Sequence, residues 1–208
     1  MFRLVFYFTL CMLPFTSALE TGLTEQEIKD IVDEHNKDRS IDASAGPEAA
    51  SDMIKMEWSE NLARMAQAYA DKCIYEHSDK PKLGFGENLF ITTANLPKKG
   101  LGMPVTYWYD EKQNYDSATG KCEAGKVCGH YKQVVWSGAS KVGCGLKKCD
   151  TMEGTSWENV YYVVCNYNRV VLKGKKPYIE AESCTHCPPE YQTCSPYKTK
   201  NLCLFEPK

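Results

Sequence analysis

The cysteines constrain this chain more than any other feature. The sequence of 208 residues contains eleven of them, far more than an intracellular protein normally keeps as free thiols. A chain of this length buries enough apolar surface to fold without cross-links. The cysteines therefore indicate an oxidising compartment rather than a weak core. The count is odd, however, whereas complete pairing into disulfides requires an even number.

The amino terminus accounts for the odd cysteine. Residues 1–18 read MFRLVFYFTLCMLPFTSA, with one arginine, an apolar stretch and then small residues that end at Ala18. This order is typical of a secretory signal, and the apolar stretch is shorter than the roughly 20 residues that span a bilayer. We expect cleavage after Ala18 and secretion into the extracellular space. Cys11 leaves with the signal, so ten cysteines remain.

Four of these ten cysteines lie in the last thirty residues, together with four prolines. This composition predicts a short tail held by disulfides rather than a segment with a core of its own. Four cysteines allow three pairings, and Cys184-Thr185-His186-Cys187 also resembles half of a zinc motif. In an oxidising compartment we favour two disulfides. We therefore divide the chain into a signal (1–18), a main domain (19–178) and a cysteine-rich extension (179–208).

Helices are predicted in the first half of the main domain and strands in the second. Thr24 and Glu27 form a capping box at the start of one helix, Ser59 is a candidate N-cap, and Pro104 suits a first helical turn. Residues 38–52 and 92–103 are predicted to be loops. Strands rich in β-branched and aromatic residues are expected at Tyr131–Trp136, Val142–Leu146 and Val160–Tyr167. This order predicts an α+β domain with an antiparallel sheet.

Charge and motifs exclude several functions. The chain has 25 Lys and Arg against 27 Asp and Glu, so we expect no nucleic-acid partner. Beyond the signal we find no stretch that suits a transmembrane segment. The sequence contains no H-E-x-x-H, G-x-S-x-G or phosphate-binding loop. If all ten cysteines pair, no thiolate nucleophile remains, and we assign no catalytic residue.

Two signatures and their companions resemble a known family. Gly129–Trp136 reads GHYKQVVW and Tyr161–Tyr167 reads YYVVCNY, while His35–Arg39 and Gly86–Leu89 read HNKDR and GENL. In this order they resemble the CAP superfamily of cysteine-rich secretory, antigen 5 and pathogenesis-related proteins, over residues 24–178. The overall pattern is most similar to the venom allergen-like proteins of parasitic worms. The resemblance implies a three-layer α–β–α sandwich with an antiparallel central sheet and a broad cleft.

The resemblance also implies two histidines and two glutamates in that cleft. Matched by motif, they are His77, His130, Glu87 and Glu111. Neutral imidazole suits zinc or another divalent cation, and the carboxylates can orient the rings. The alternative is a satisfied polar network that holds the loops of the cleft. No organic cofactor is expected.

Lipid is the ligand class that the resemblance implies. A fatty acid would lie between the first helix and the helix that contains Trp108, and a sterol beside an aromatic loop running from Tyr107 to Cys122. The alternative for an apolar stripe at helical spacing is ordinary core. The candidate lipid-contact residues are Ile28, Ile31, Val32, Val105, Trp108, Tyr109 and Tyr115.

A pattern of five disulfides follows from the same resemblance. Three would lie in the main domain and two in the extension. The pairs are Cys73–Cys149, Cys144–Cys165, Cys122–Cys128, Cys184–Cys194 and Cys187–Cys203.

Together these features and the resemblance predict a secreted, non-enzymatic protein that binds sterol or fatty acid and acts at a host–parasite boundary. One alternative is a metal-dependent hydrolase that uses His77, His130, Glu87 and Glu111. Another is an interaction protein whose extension binds an extracellular receptor or channel.

Overall fold

The computed structural model describes residues 22–44, 46, 49–195 and 201–205. The predicted signal, its cleavage site and Cys11 lie outside the described residues. Five α-helices are described: α1 Glu25–Asp42, α2 Glu60–Ala70, α3 Leu96–Lys99, α4 Met103–Asp110 and α5 Gly129–Val134. Short 3-10 helices span Lys80–Leu83 and Glu111–Asn114. The strands are β1 Glu57–Trp58, β2 Gly86–Thr92, β3 Tyr115–Asp116, β4 Lys121–Cys122, β5 Lys141–Thr151, β6 Glu158–Tyr167, β7 Thr193–Cys194 and β8 Cys203–Leu204.

Helix starts follow the local signals in the sequence. The hydroxyl of Thr24 accepts the N–H of Glu27 at 3.2 Å, and the Glu27 carboxylate accepts the N–H of Thr24 at 2.8 Å. Ser59 caps α2 through the N–H of Leu62. Pro104 lies in the first turn of α4. Each cap satisfies backbone donors that a helix terminus would otherwise leave unpaired.

The central sheet is mixed rather than antiparallel. Its strand order is β1-β5-β6-β2, and the pairs β5–β6 and β6–β2 are antiparallel. The edge strand β1 runs parallel to β5, with Glu57 opposite Lys141 and Trp58 opposite Val142. No hairpin joins these two strands, since the chain passes from β1 directly into α2, which packs on β5. The direction of β1 is therefore not fixed by a turn, and the expectation of a strictly antiparallel sheet is wrong.

The segment predicted as the strand Tyr131–Trp136 is helical instead. Helix α5 covers Gly129–Val134, and the buried Tyr131, Val134 and Val135 repeat at a helical spacing. Burial of this one side outweighs the strand preference of the individual residues. The predicted loop at 38–52 also differs, because α1 continues to Asp42. Within the predicted loop 92–103, the structure places the short helix α3.

Two apolar layers enclose the sheet, giving the expected α–β–α sandwich. Helix α2 covers one face, where Ala66 and Ala70 pack with Tyr162 and Val164 of β6. The opposite face contributes to the larger core with α1, α4 and α5. Gly143 and Gly145 of β5 permit the close approach of α2. A Cβ at Gly143 would lie only 2.2 Å from the backbone nitrogen of Ala63.

Arg39 of α1 connects the helical layer to the loop after α5. Its side chain is fully buried, and its guanidinium donates to the carbonyl oxygens of five residues. These are Ile54, Val134, Trp136, Ser137 and Ala139. A buried guanidinium is stable only when its donors are paired in this way.

Five disulfides join the described cysteines in the same pairs that the resemblance implies. They are Cys73–Cys149, Cys122–Cys128, Cys144–Cys165, Cys184–Cys194 and Cys187–Cys203. This density is typical of extracellular proteins. The extension packs on the main domain: the N–H of Cys203 donates to Met53 at 2.8 Å, and Leu202 is buried in the larger core. Among the described helices, none has the length and apolar character needed to cross a membrane.

Candidate functional site

Glu87 and His77 form the first half of the site. Strand β2 places the carboxylate of Glu87 in a fully buried position. One of its oxygens lies 2.9 Å from Nδ1 of His77 and accepts the N–H of Ser78 at 2.9 Å. The Ser78 hydroxyl donates to the other oxygen. Because a carboxylate only accepts, Nδ1 of His77 carries the proton and Nε2 is the nitrogen that can bind a metal.

Glu111 and His130 form the second half. Glu111 begins the 3-10 turn after α4, and His130 is the second residue of α5. The Nδ1 atom of His130 lies 2.6 Å from one oxygen of Glu111. The other oxygen accepts the backbone N–H groups of His130 at 2.9 Å and of Tyr131 at 3.3 Å. This carboxylate therefore fixes both the ring and the backbone of His130.

The two halves meet at one cavity. His77, Glu87 and His130 line a space of about 500 Å³, which we call the His/Glu cleft, and Glu111 supports His130 from behind. The structure thus places near one another the four residues that the resemblance implied, although they are far apart in the chain. The complete lining is His77, Ser78, Asp79, Pro81, Lys82, Glu87, Asn88, Val127, Gly129, His130, Gln133, Val170 and Val171.

The donor set fits a divalent cation held by imidazole. Each ring is oriented by a carboxylate on Nδ1, which is the usual support for a metal-binding histidine. The four residues do not form a closed set of ligands, however. In the described part of the chain, the one group of three or more ligand atoms within 4.8 Å of one another is Cys184, Cys187 and Cys203. A cation in the cleft would therefore rely on the two imidazoles, with water completing its coordination.

A buried network holds His130 from the core side. Burial lowers the pKa of His35 to about 4, so its imidazole is neutral. Its Nδ1 lies 2.8 Å from the carbonyl of Ile31, and its Nε2 accepts the hydroxyl of Tyr167 at 2.9 Å. The amide of Asn88 donates to that hydroxyl and to the carbonyl of His130. His35 is thus a structural residue, whereas Asn88 connects it to the cleft.

The residues proposed for a fatty-acid site lie in the core. Ile31 and Val105 are buried, and Ile28 and Val32 pack against the same cluster. Tyr109 also packs there, and its hydroxyl donates to Asp42 at 2.7 Å. The open groove between α1 and α4 is lined by other side chains, many of them charged, including Asp30, Asp33, Glu34 and Lys37. The apolar residues at helical spacing on α1 and α4 therefore form part of the hydrophobic core.

A second cavity, of about 490 Å³, lies on the other side of His130. It is lined by residues from β2, α4, α5 and the β5–β6 loop, and we call it the aromatic groove. Trp108 lines it from a position only 2% exposed, while Tyr107, Trp157 and Tyr75 are 59%, 48% and 37% exposed. The complete lining is Tyr75, Leu89, Phe90, Ile91, Tyr107, Trp108, Glu111, His130, Thr155 and Trp157.

Sequence reasoning found this groove only in part. It proposed Trp108 and the segment from Tyr107, but Tyr115 lies elsewhere, with its ring 5.4 Å from that of Tyr131. It missed Phe90 and Trp157, which come from β2 and from the loop before β6. The one available signal was a tryptophan at 157 within a polar stretch of sequence. Because single exposed aromatic residues are common on protein surfaces, this signal alone did not identify a binding surface.

His130 belongs to both cavities. Its ring stacks on that of Trp108, with centroids 6.3 Å apart, and the side chain lines the His/Glu cleft as well as the aromatic groove. Glu111 lines the groove too. One histidine and one carboxylate thus form a polar boundary at the end of an otherwise mainly apolar surface.

Known proteins resemble the chain across the region that carries these features. The family model described as the cysteine-rich secretory protein family matches residues 32–167. Peptidase inhibitor 16 of Mus musculus is 41% identical over 174 residues, which cover 82% of this chain and 33% of that protein. The chain spans between 33% and 38% of the length of the peptidase inhibitor 16 proteins of mouse, human and cattle.

Solved structures show the same fold. NaASP2, whose structure was determined with Zn²⁺, is 25% identical with a TM-score of 0.66, over 88% of this chain and 98% of that one. Venom allergen-like protein 4 of Schistosoma mansoni is 27% identical with a TM-score of 0.60, over 79% of this chain and 100% of that one. The chain therefore belongs to the CAP family of cysteine-rich secretory proteins and resembles the venom allergen-like proteins of parasitic worms.

Proposed function

We propose that this protein works outside the cell by binding a sterol or a free fatty acid in the aromatic groove. The observation that carries the proposal is the exposure of three aromatic side chains around one cavity that ends at Glu111 and His130. A cavity of about 490 Å³ lies within the range of small-ligand sites. An apolar body with a single polar end matches this arrangement.

Burial of apolar surface would drive the binding. Tyr107 and Trp157 expose about half of their surface. The ring of Phe90, on β2, packs against that of Tyr107 with the two centroids 5.4 Å apart. Each Å² of apolar surface removed from water contributes about 25 cal/mol. A ligand that covers these rings thus gains affinity without a change in the core, because the rings already lie on the surface.

The polar end would orient the ligand. His130 presents its imidazole where the groove meets the His/Glu cleft. A sterol hydroxyl or a fatty-acid carboxylate placed here can form a hydrogen bond with this ring. Glu111 already accepts three hydrogen bonds from His130 and Tyr131, so it fixes the ring rather than binding the ligand itself.

We infer binding rather than catalysis as the activity. The described cysteines are joined in disulfides and supply no thiolate. Ser78, the hydroxyl beside His77, donates its proton to Glu87 and not to the imidazole. The hydroxyl–imidazole pair that activates a serine nucleophile is therefore not formed between Ser78 and His77. Glu87 and Glu111 are committed to orienting the rings.

A binding assay with matched variants tests the proposal. The double variant Tyr107→Ser/Trp157→Ser removes the exposed rings of the groove, and Leu83→Ser removes an apolar residue of greater exposure outside it. With fluorescent cholesterol and labelled palmitate, we expect the lipid affinity of the groove variant to be lower than that of the native protein by about tenfold or more. The control should match the native protein. Binding of neither lipid by the native protein would contradict the proposal, as would equal binding by the groove variant.

The His/Glu cleft favours a second function, reversible binding of a divalent cation. The supporting observation is that both Nδ1 atoms lie within 2.9 Å of a carboxylate oxygen, which leaves two Nε2 atoms as ligands. A related protein has been solved with Zn²⁺. When bound, a zinc ion would supply Lewis acidity beside the groove. Titration with zinc by calorimetry tests this function directly.

A further inference from the structure

The sulfur atoms of the extension form a compact cluster. The Sγ atoms of Cys184, Cys187 and Cys203 all lie within 4.8 Å of one another, although the bonds join Cys184 to Cys194 and Cys187 to Cys203. Zinc bound by four thiolates at about 2.3 Å holds its sulfurs roughly 3.8 Å apart in a tetrahedron. The Sγ atoms of Cys187 and Cys203 are bonded at 1.96 Å and that of Cys184 lies within 4.8 Å of both, so opening of the bond would let three sulfurs reach the spacing of a zinc site by small movements.

The fourth sulfur is next to this group. Strands β7 and β8 pair in antiparallel fashion and place Cys194 directly opposite Cys203. Opposed residues in such a pair have Cα atoms about 4.5–5.5 Å apart. His186 is not needed as a ligand, since its Nδ1 lies 3.0 Å from the hydroxyl of Ser51. The Sγ atom of Cys194 is bonded to that of Cys184 at 2.03 Å, so it lies beside the group of three and would join it by a side-chain movement once the two disulfides open.

Contacts with the main domain hold this cluster without help from the disulfides. The N–H of Cys203 donates to Met53 at 2.8 Å, and its carbonyl accepts the N–H of Lys55 at 3.0 Å. On the other side, the N–H of His186 donates to the carbonyl of Ser51 at 3.1 Å. Both halves of the cluster are thus attached to neighbouring positions of the same segment by backbone contacts that do not involve the disulfides.

We propose that the extension is a redox-gated zinc site, with two disulfides in the oxidised form and a zinc tetrathiolate in the reduced form. Its ligands are Cys184, Cys187, Cys194 and Cys203. Each disulfide consumes two equivalents of a small thiol and yields two cysteine thiols and one oxidised thiol pair. Zinc then replaces four protons, one from each thiol. The exposed Cys194 is the point of attack, and Cys203 is buried.

Reduction followed by zinc binding would replace the two disulfides by a zinc cross-link, so the extension is cross-linked in both forms. In the oxidised form the sulfurs are bonded to each other and offer no thiolate. In the reduced form zinc would tie the same four positions, so β8 keeps its contacts with the main domain. This site is separate from the His/Glu cleft, whose ligands are nitrogen atoms that need no reductant.

Cobalt is a spectroscopic probe of this site in the full-length secreted protein. After reduction by a phosphine under native conditions, we expect one equivalent of Co²⁺ to produce strong thiolate-to-cobalt absorption and tetrahedral d–d bands, which Zn²⁺ abolishes. Without reductant the thiolate-to-cobalt absorption should be absent, because cobalt in the His/Glu cleft has no sulfur ligand. Thiolate-to-cobalt absorption in the oxidised protein would contradict the proposal, and so would a reduced protein that lacks it.

Alkylation identifies the ligands in the native sequence. In reduced protein, zinc should slow the alkylation of Cys184, Cys187, Cys194 and Cys203 by about tenfold or more. The other disulfide with an exposed sulfur, Cys122–Cys128, should show no protection. Equal rates with and without zinc would overturn the proposal, as would protection confined to Cys122 and Cys128.

Two paired substitutions provide the matched test. Cys184→Ser/Cys194→Ser removes two ligands without creating an unpaired cysteine, and should abolish the thiolate bands. Cys122→Ser/Cys128→Ser removes a disulfide elsewhere and should leave them unchanged. The reverse pattern would contradict the assignment. If the first variant fails to fold, alkylation of the native sequence decides the question.

Discussion

Glu111 holds His130 with both oxygens of its carboxylate. One oxygen lies 2.6 Å from Nδ1 of the ring, and the other accepts the backbone N–H of the same residue at 2.9 Å. A single side chain from the turn after α4 therefore sets the position and the tautomer of the histidine that the two cavities share. The proposed ability of the His/Glu cleft to bind a metal therefore depends on this contact.

Loss of that contact should weaken metal binding. Glu111→Gln keeps the shape of the side chain but removes the charge that keeps the proton on Nδ1. Because an orienting carboxylate is typically worth 10–100-fold in metal affinity, we expect a loss of about that size in zinc titrations. Glu158→Gln, at an exposed position on β6, is the control. Unchanged affinity in Glu111→Gln would show that the cleft is not the zinc site.

The stability of the protein should depend on Asp38. Burial, reinforced by the nearby Glu34, Asp42 and Asp110 and opposed by Lys37, raises the pKa of Asp38 to about 8. The folded protein therefore keeps a proton that the unfolded chain releases near pH 3.9. Stability contributed by this group falls as the pH rises from about 4 to 8. One oxygen of Asp38 is buried and has no hydrogen-bond partner among the residues that the structure describes.

Asp38→Asn should remove the loss of folding stability that Asp38 causes as the pH rises. The variant should be more stable than the native protein at pH 8 by an amount on the order of 1–3 kcal/mol, and nearly equal to it at pH 3.5. Denaturant unfolding at several pH values measures the difference. Asp33→Asn, on an exposed part of α1, serves as the comparison. A constant difference across this pH range would mean that Asp38 is ionised in the folded protein.

The contact between α2 and the sheet should tolerate no side chain at Gly145. A Cβ there would lie 2.4 Å from Cα of Gln67 and 2.9 Å from the carbonyl carbon of Ala66, which are backbone atoms of a helix and cannot move alone. We expect Gly145→Ala to destabilise the fold by about 2–4 kcal/mol. At Gly129 a Cβ meets no atom within 4 Å, so Gly129→Ala should be nearly neutral. Thermal unfolding distinguishes the two variants, and equal melting temperatures would contradict the account.

Local signals in the sequence predicted the helix starts, and the resemblance to the CAP superfamily implied the His/Glu set, but neither predicted the long-range strand pairing. Thr24, Ser59 and Pro104 act within one turn of the helix that they begin, so the sequence was sufficient there. The parallel pairing of β1 with β5 joins segments more than eighty residues apart. No turn or spacing encodes it, and only the path of α2 over the sheet explains it.

The candidate lipid-contact residues also show that a sequence pattern does not reveal tertiary packing. Ile31 and Val105 have the spacing and polarity of a ligand wall, but a core has the same pattern, and the structure buries them. The aromatic groove combines Phe90, Tyr107 and Trp157 from three separate elements. Tertiary packing brings these three side chains together, and a local sequence pattern does not show which separate elements will meet.

Trp108 and Tyr107 should respond differently to substitution, although they are adjacent. Trp108 is buried, and its indole N–H donates to the carbonyl of Leu89 at 3.1 Å. Trp108→Ser should therefore destabilise the protein by about 3–5 kcal/mol. Tyr107→Ser, at an exposed position, should change stability by less than about 1 kcal/mol and act on lipid affinity. Denaturant unfolding beside lipid titration separates the two effects; a Tyr107→Ser variant that unfolds would place its ring in the core.

The position of the bound lipid tests the central claim most directly. A photoreactive sterol and a photoreactive fatty acid, each cross-linked to the native protein and mapped by mass spectrometry, would report which residues contact the ligand. The account predicts cross-links to peptides that contain Tyr75, Tyr107 and Trp157, competed by unlabelled lipid. Cross-links confined to α1 and the buried side of α4, or none that unlabelled lipid competes, would contradict it.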